Sequence, residues 1–170
     1  MMVGAAGRNN KAFTIIELVV VIVIIGILAA TALPRFVDLT GDAHSATTRS
    51  MSGAFSSGVN LVHAGWIAKG ATASVNAVTV EGGGSVGVND SGWPENDTSD
   101  GGDGAVSAAE CVALWSGMLS SAPTVSATAG AAARQAAPTD LLTCRVTYNA
   151  ASGRYFDYNT TTGAIAATVP

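Results

Sequence analysis

The chain has 170 residues, of which 48% are hydrophobic and only 12% charged, with 12 acidic side chains against 8 basic. That length allows one compact domain, and the high hydrophobicity with low charge excludes a disordered charged tail, which needs the opposite balance. A formal net charge of −4 excludes a nucleic-acid binder that works through a basic surface.

Arg8 and Lys11 precede a nearly continuous apolar run, Phe13 to Leu33, in which Glu17 is the single charge. A bilayer core of about 30 Å takes roughly 20 such residues in a helix, so the run predicts a membrane segment or a secretion signal. The basic flank places the amino terminus in the cytoplasm and exports the chain beyond Leu33. Cleavage of a plain signal peptide at Ala30-Thr31-Ala32 is one alternative, and it would leave a secreted soluble binding module. That reading makes Glu17 accidental, and so does a simple single-span anchor. A carboxylate within hydrocarbon costs about 3 kcal/mol on insertion scales unless it is paired, so Glu17 calls for a positive partner within an assembly.

Lys11-Ala12-Phe13-Thr14-Ile15-Ile16-Glu17-Leu18 and the run on to Ala30 resemble the amino-terminal signature of type IV pilins. Thr31 to Phe36, with Pro34, is similar to the same family, and Val37-Asp38-Leu39-Thr40-Gly41-Asp42-Ala43 resembles the mannose-sensitive haemagglutinin (MSHA) type. The resemblance implies a leader over residues 1–12, a transmembrane and polymerisation helix over 13–33, and an exported head over 34–170 that includes the amphipathic half of the helix. It implies a prepilin peptidase that cuts between Ala12 and Phe13 and methylates the new amine; the family usually has Gly where this chain has Ala12. Glu17, the fifth residue after the cut, takes the family's assembly role, paired with the terminal amine of a neighbouring subunit. Gly26 and Pro34 bound the segment that tends to melt in filaments of the family. The implied partners are further copies of the chain in a homo-oligomeric helical filament, the peptidase, the inner-membrane assembly machinery, and the membrane before assembly. The implied location is the inner membrane and then the surface pilus of a Gram-negative bacterium, serving attachment and biofilm formation. A pseudopilin of a type II secretion system is the alternative within the same class.

Beyond Pro34 the pattern becomes amphipathic. Met51, Phe55, Val59, Val62 and Trp66 fall on one helical face, opposite Ser52, Ser56, Ser57 and Asn60. Gly65 and Gly70 predict an end near residues 66–70, giving one helix from Phe13 to about Ala68. Pro34 should kink it, and Gly26 weakens the turns before that. Val75 to Val88 reads as weak strand material around a Gly82-Gly83-Gly84 turn. Six acids lie between Asp90 and Glu110. Asp97, Asp100 and Asp103 are calcium candidates on composition alone, against a plain solvated loop, since their spacing does not match an EF-hand. No other cofactor is expected.

Ser107-Ala108-Ala109-Glu110 is a capping-box pattern that opens a short helix with Cys111, Leu114, Trp115 and Met118 on one side. Pro123 to Pro138 reads as mostly surface loop. Leu141 to Tyr148 alternates as a strand with Leu142, Cys144, Val146 and Tyr148 on one face. Arg154 to Tyr158 is a second strand, and a third runs through Ile165 and Val169; turns at 149–153 and 159–163 join them in an antiparallel meander. A long helix against such a sheet is an α+β fold, in agreement with the pilin fold. Export to an oxidising compartment predicts a disulfide between Cys111 and Cys144. His44 and His63 stand too far apart for a metal motif, and no nucleophile or dinucleotide pattern is present; no enzymatic activity is expected. Asn96 and Asn159 sit in N-glycan sequons.

Overall fold

In the computed structural model of the chain the described residues are 13–79, 84–95 and 105–170. The first element is α1, Ile15–Ala68. It ends where Gly70 takes φ 65°, with Gly70 N–H donating to Ile67 O at 2.9 Å and Ala71 N–H to Trp66 O at 3.4 Å. These two bonds form a Schellman cap, which requires a left-handed residue and so favours glycine. The helix is continuous through Pro34. Contacts divide the chain into two units, Met1–Thr40 and Gly41–Pro170.

In the second unit the helical stripe forms a core: Phe55, Val59 and Val62 are buried, with Met51 and Trp66 packed against them. Ser52, expected on the wet face, is buried instead; its hydroxyl donates to Arg49 O at 2.9 Å, so the backbone satisfies it. β1, Val75–Thr79, pairs antiparallel with β2, Ser85–Val88, in a two-stranded sheet with a register shift between Val75 and Val78. α2, Ala108–Met118, opens with the expected box: Glu110 N–H donates to Ser107 Oγ, and Ser107 N–H donates to the Glu110 carboxylate. This short helix packs on β2 and on the first two strands of the second sheet.

That second sheet has four strands in the order β3, Arg134–Asp140; β4, Thr143–Tyr148; β5, Tyr155–Asn159; and β6, Ile165–Thr168, all antiparallel. The meander therefore has one strand more than the sequence pattern shows. β3 lies inside the stretch read as loop, and it carries Pro138, paired with Cys144. Proline is tolerated there because β3 is an edge strand, whose outer side needs few ladder donors; Ser126 bridges that side, beside Gln135. Of the four residues expected on one face of β4, Cys144 and Val146 are buried. Leu142 lies before the strand and is exposed, and Tyr148 is half-buried.

Four aromatic rings join the layers. Phe55 of α1 lies 6.2 Å from Trp115 of α2, 5.5 Å from Phe156 and 5.4 Å from Tyr158 of β5. Tyr158 O–H donates to Pro94 O at 2.8 Å. Burial, and secondarily the charge of the buried Glu95, pushes the Tyr158 phenol well above its ordinary range. Cys111 of α2 and Cys144 of β4 are disulfide-bonded, with Cα atoms 5.6 Å apart. On the other face of the sheet Arg145 and Asp157 form a bidentate cross-strand pair, both bonds at 2.7 Å. The Arg145 guanidinium also lies over the Tyr155 ring, 3.7 Å from its centroid.

Candidate functional site

The amino-terminal segment of α1 holds the candidate assembly site. From Phe13 to Leu28 its large apolar side chains are exposed, from 45% at Val19 to 84% at Phe13. The apolar stretch has a mean hydropathy of 2.9 and none of it is buried, and it is long and apolar enough to cross a membrane. Exposed apolar surface on this scale is absent from ordinary soluble monomers and marks contact with lipid or protein. Thr31 and Thr40 spend their hydroxyls on the helix itself, on Leu28 O and Phe36 O, both at 2.9 Å.

Glu17 stands in the first turn of α1. Thr14 N–H donates to Glu17 Oε2 at 3.0 Å, Thr14 Oγ1–H donates to the same oxygen at 2.8 Å, and Glu17 N–H donates to Thr14 Oγ1 at 3.3 Å. This is a capping box that satisfies orphan donors at the helix start. The sequence carries its signal, Thr at the cap and Glu three residues on, but the apolar run around it hides the pattern. Phe13, Ile16, Val20 and Val21 line a shallow groove beside the carboxylate. A second apolar groove, lined by Ala32, Arg35, Phe36 and Leu39, lies further along the same unit.

Phe13 and Glu17 are thus brought together at one helix end. Gly26 and Pro34 lie within α1, and a Cβ on Gly26 would meet nothing within 4 Å. Ala12 lies outside the described residues, as do Asp97, Asp100, Asp103 and Asn96. Among the described residues no group of three or more His, Cys, Asp or Glu side chains is placed to hold a metal ion. His63 is held by packing: its ring stacks on Trp93 at 3.9 Å and 8°, and its Nδ1 lies 2.9 Å from Gly92 O. The other sequon residue, Asn159, turns its Oδ1 inward to accept from Thr161 N–H at 3.1 Å and Thr162 N–H at 3.0 Å.

The described residues thus leave an apolar helix with one carboxylate in its first turn exposed. A family profile described as a prokaryotic N-terminal methylation motif matches residues 7–33. The chain is 59% identical over 44 residues to the type IV narrow pilus major component PilA5 of Thermus thermophilus. That similarity covers 26% of this chain and 38% of the Thermus protein, so the chain spans well under half the length of the curated relative it matches. No solved structure matches the chain. The chain therefore carries a methylation motif and is similar to a pilus component over about a quarter of its length.

Proposed function

We propose that the chain is a structural subunit of a type IV pilus, assembled through residues 13–33 and without catalytic activity. The observation that carries this reading is the exposed apolar helix with Glu17 in its first turn, one helical turn from Phe13. A peptidase cut between Ala12 and Phe13 creates an amine at the residue that shares a groove with Glu17. A carboxylate and an amine from two copies then pair in an apolar setting, where removing one partner costs about 3–5 kcal/mol. Repetition of one such heterologous contact gives an open helical polymer. The subunit waits in the inner membrane and then faces the cell exterior in the filament. Attachment to surfaces and biofilm formation follow from many weak contacts along it. The finer assignment, to the MSHA type, rests on the stretch Val37 to Ala43.

The intact mass and first residue of the protein in sheared cell-surface material test the reading. The expected species begins at an N-methylated Phe13. A species beginning at Leu33 and found in the soluble medium overturns it.

A further inference from the structure

We infer that the open edge of β6 is a pairing surface for the same strand of a second copy of this chain, antiparallel about a two-fold axis at Ala167. The inference goes beyond the pilus reading and does not rest on it. The four-stranded sheet has two edges, β3 and β6, and backbone groups point alternately to the two sides of a strand. In β3 the outward groups are those of Arg134, Ala136 and Pro138, because Asn149 N–H donates to Ala133 O on the inner side. That edge is guarded: Ser126 N–H donates to Arg134 O at 3.1 Å, Ala136 N–H donates to Ser126 O at 3.0 Å, and Pro138 has no N–H to offer. β6 carries no such guard. Asn159 N–H donates to Ala164 O at 2.9 Å, and the register sets Asp157 opposite Ala166 and Tyr155 opposite Thr168. Ala164, Ala166 and Thr168 therefore turn their backbone groups to β5, and Ile165, Ala167 and Val169 turn theirs outward. Among the described residues none of these outward groups has a hydrogen-bond partner. Ala166, Ala167 and Thr168 are all exposed, and successive residues face opposite sides of a sheet, so the strand stands clear on both.

Charge and register make a second copy the occupant. The chain has a net charge of −4, yet no residue from Asn159 to Pro170 is charged, so no like charges meet when the strand opposes itself. The nearest acid, Asp157, stands opposite Ala166, and both its oxygens are held by Arg145 at 2.7 Å. Two such neutralised pairs approach across the axis without the repulsion that two free carboxylates would bring. The outward triplet is also symmetric in kind about Ala167: Ala167 faces Ala167, and β-branched Ile165 of one copy faces β-branched Val169 of the other. Each opposed pair exchanges both of its bonds, so the contact supplies about six N–H···O bonds. The alanines between them leave the two backbones free to close to the usual strand spacing. A two-fold contact closes after two copies, unlike the head-to-tail contact of an open polymer.

Single cysteines in the full-length protein in detergent micelles test the pairing, with the yield of disulfide-linked dimer under mild oxidation as the readout. Opposed Cα atoms in such a pair lie about 5.5 Å apart, within reach of a disulfide. Ala167→Cys should therefore give about tenfold more dimer than Ala150→Cys, which reports collision alone from the exposed turn between β4 and β5. Ala166→Cys opposes Thr168 rather than itself and should fall well below Ala167→Cys. Association through the apolar helix would raise all three positions alike, so the comparison among them reads the edge. Adding Val169→Pro to Ala167→Cys removes an outward donor and no bond to β5, and should bring the yield down to the collision level. Unfolding followed by tryptophan fluorescence should be the same in the three single-cysteine chains. Equal yields at Ala167→Cys and Ala150→Cys overturn the inference, and so does a yield that Val169→Pro leaves unchanged. A higher yield at Ala166→Cys than at Ala167→Cys overturns the two-fold register.

Discussion

Val20 and Val21 are 50% and 48% exposed, whereas Val59 and Val62, further along the same helix, are 1% and 0% exposed. The residue type, the secondary structure and the local propensity are the same. What differs is the partner: the second pair lies in the core with residues of α2 and the sheet, while no described residue covers the first. Burying a valine side chain is worth about 1.5–3 kcal/mol. The second stretch collects that stabilisation on folding, and the first collects none of it from the described residues. One helix thus contains one half buried in the core and another half whose apolar side chains stay exposed among the described residues.

The contrast predicts which substitutions a folding measurement will feel, with the full-length protein in detergent micelles and unfolding followed by tryptophan fluorescence in denaturant. Phe55→Ala should have the largest effect, a loss of about 3–5 kcal/mol, because Phe55 joins the helix to Trp115, Phe156 and Tyr158. Replacing Cys111 and Cys144 together by Ser should cost about 2–4 kcal/mol, and reduction of the unaltered protein should reproduce the shift. Gly58→Ala should cost about 1–3 kcal/mol, since its Cβ would come within 2.9 Å of Met118 O, a backbone atom that cannot step aside cheaply.

A pH effect of similar size is expected from Tyr158. Its phenol is raised by burial, so the stabilising difference is complete below the ordinary tyrosine range. It is lost progressively as pH rises above about 10, where the unfolded chain releases the proton and the folded one does not, at up to about 1.4 kcal/mol per pH unit. Tyr158→Phe should flatten the stability profile between pH 9 and 11, roughly the window of the unfolded phenol. An unchanged slope would show that other groups set the alkaline limit. Leu28→Ala should have the smallest effect, within about 0.5 kcal/mol of no change in head unfolding, as for an exposed site away from the core. A large effect there would break the division between the two halves.

Much of the architecture was legible because the relevant signals are local. The spacing from Met51 to Trp66 marked the buried face, Gly70 marked the helix end, and Ser107 with Glu110 marked the start of α2. The turns at 149–153 and 159–163 set the last three strands. β3 was not legible: its residues, Arg-Gln-Ala-Ala-Pro-Thr-Asp, have neither alternation nor β-branched weight, and Pro138 argues against a strand. Pairing with β4 decides it, and pairing is a property of two segments. Ser52 was misplaced for a related reason, because a hydroxyl that bonds its own helix can be buried and periodicity does not show that. At the candidate site Phe13, Glu17, Gly26 and Pro34 could be singled out from the sequence. Thr14 was missed, because the apolar run around it hides the Thr–Glu capping pattern that the hydrogen bonds reveal.

The sequence by itself determined that an apolar helix with one acid precedes the head, that a second half of that helix is amphipathic, and that the two cysteines have only each other. Periodicity, charge and count suffice for these, since each is set by residues near in sequence or by composition. Only the tertiary structure decided the fourth strand of the sheet, the aromatic contacts around Phe55 and the rise of the Tyr158 phenol. These depend on which distant segments meet, and burial and pairing energies arise only once they do.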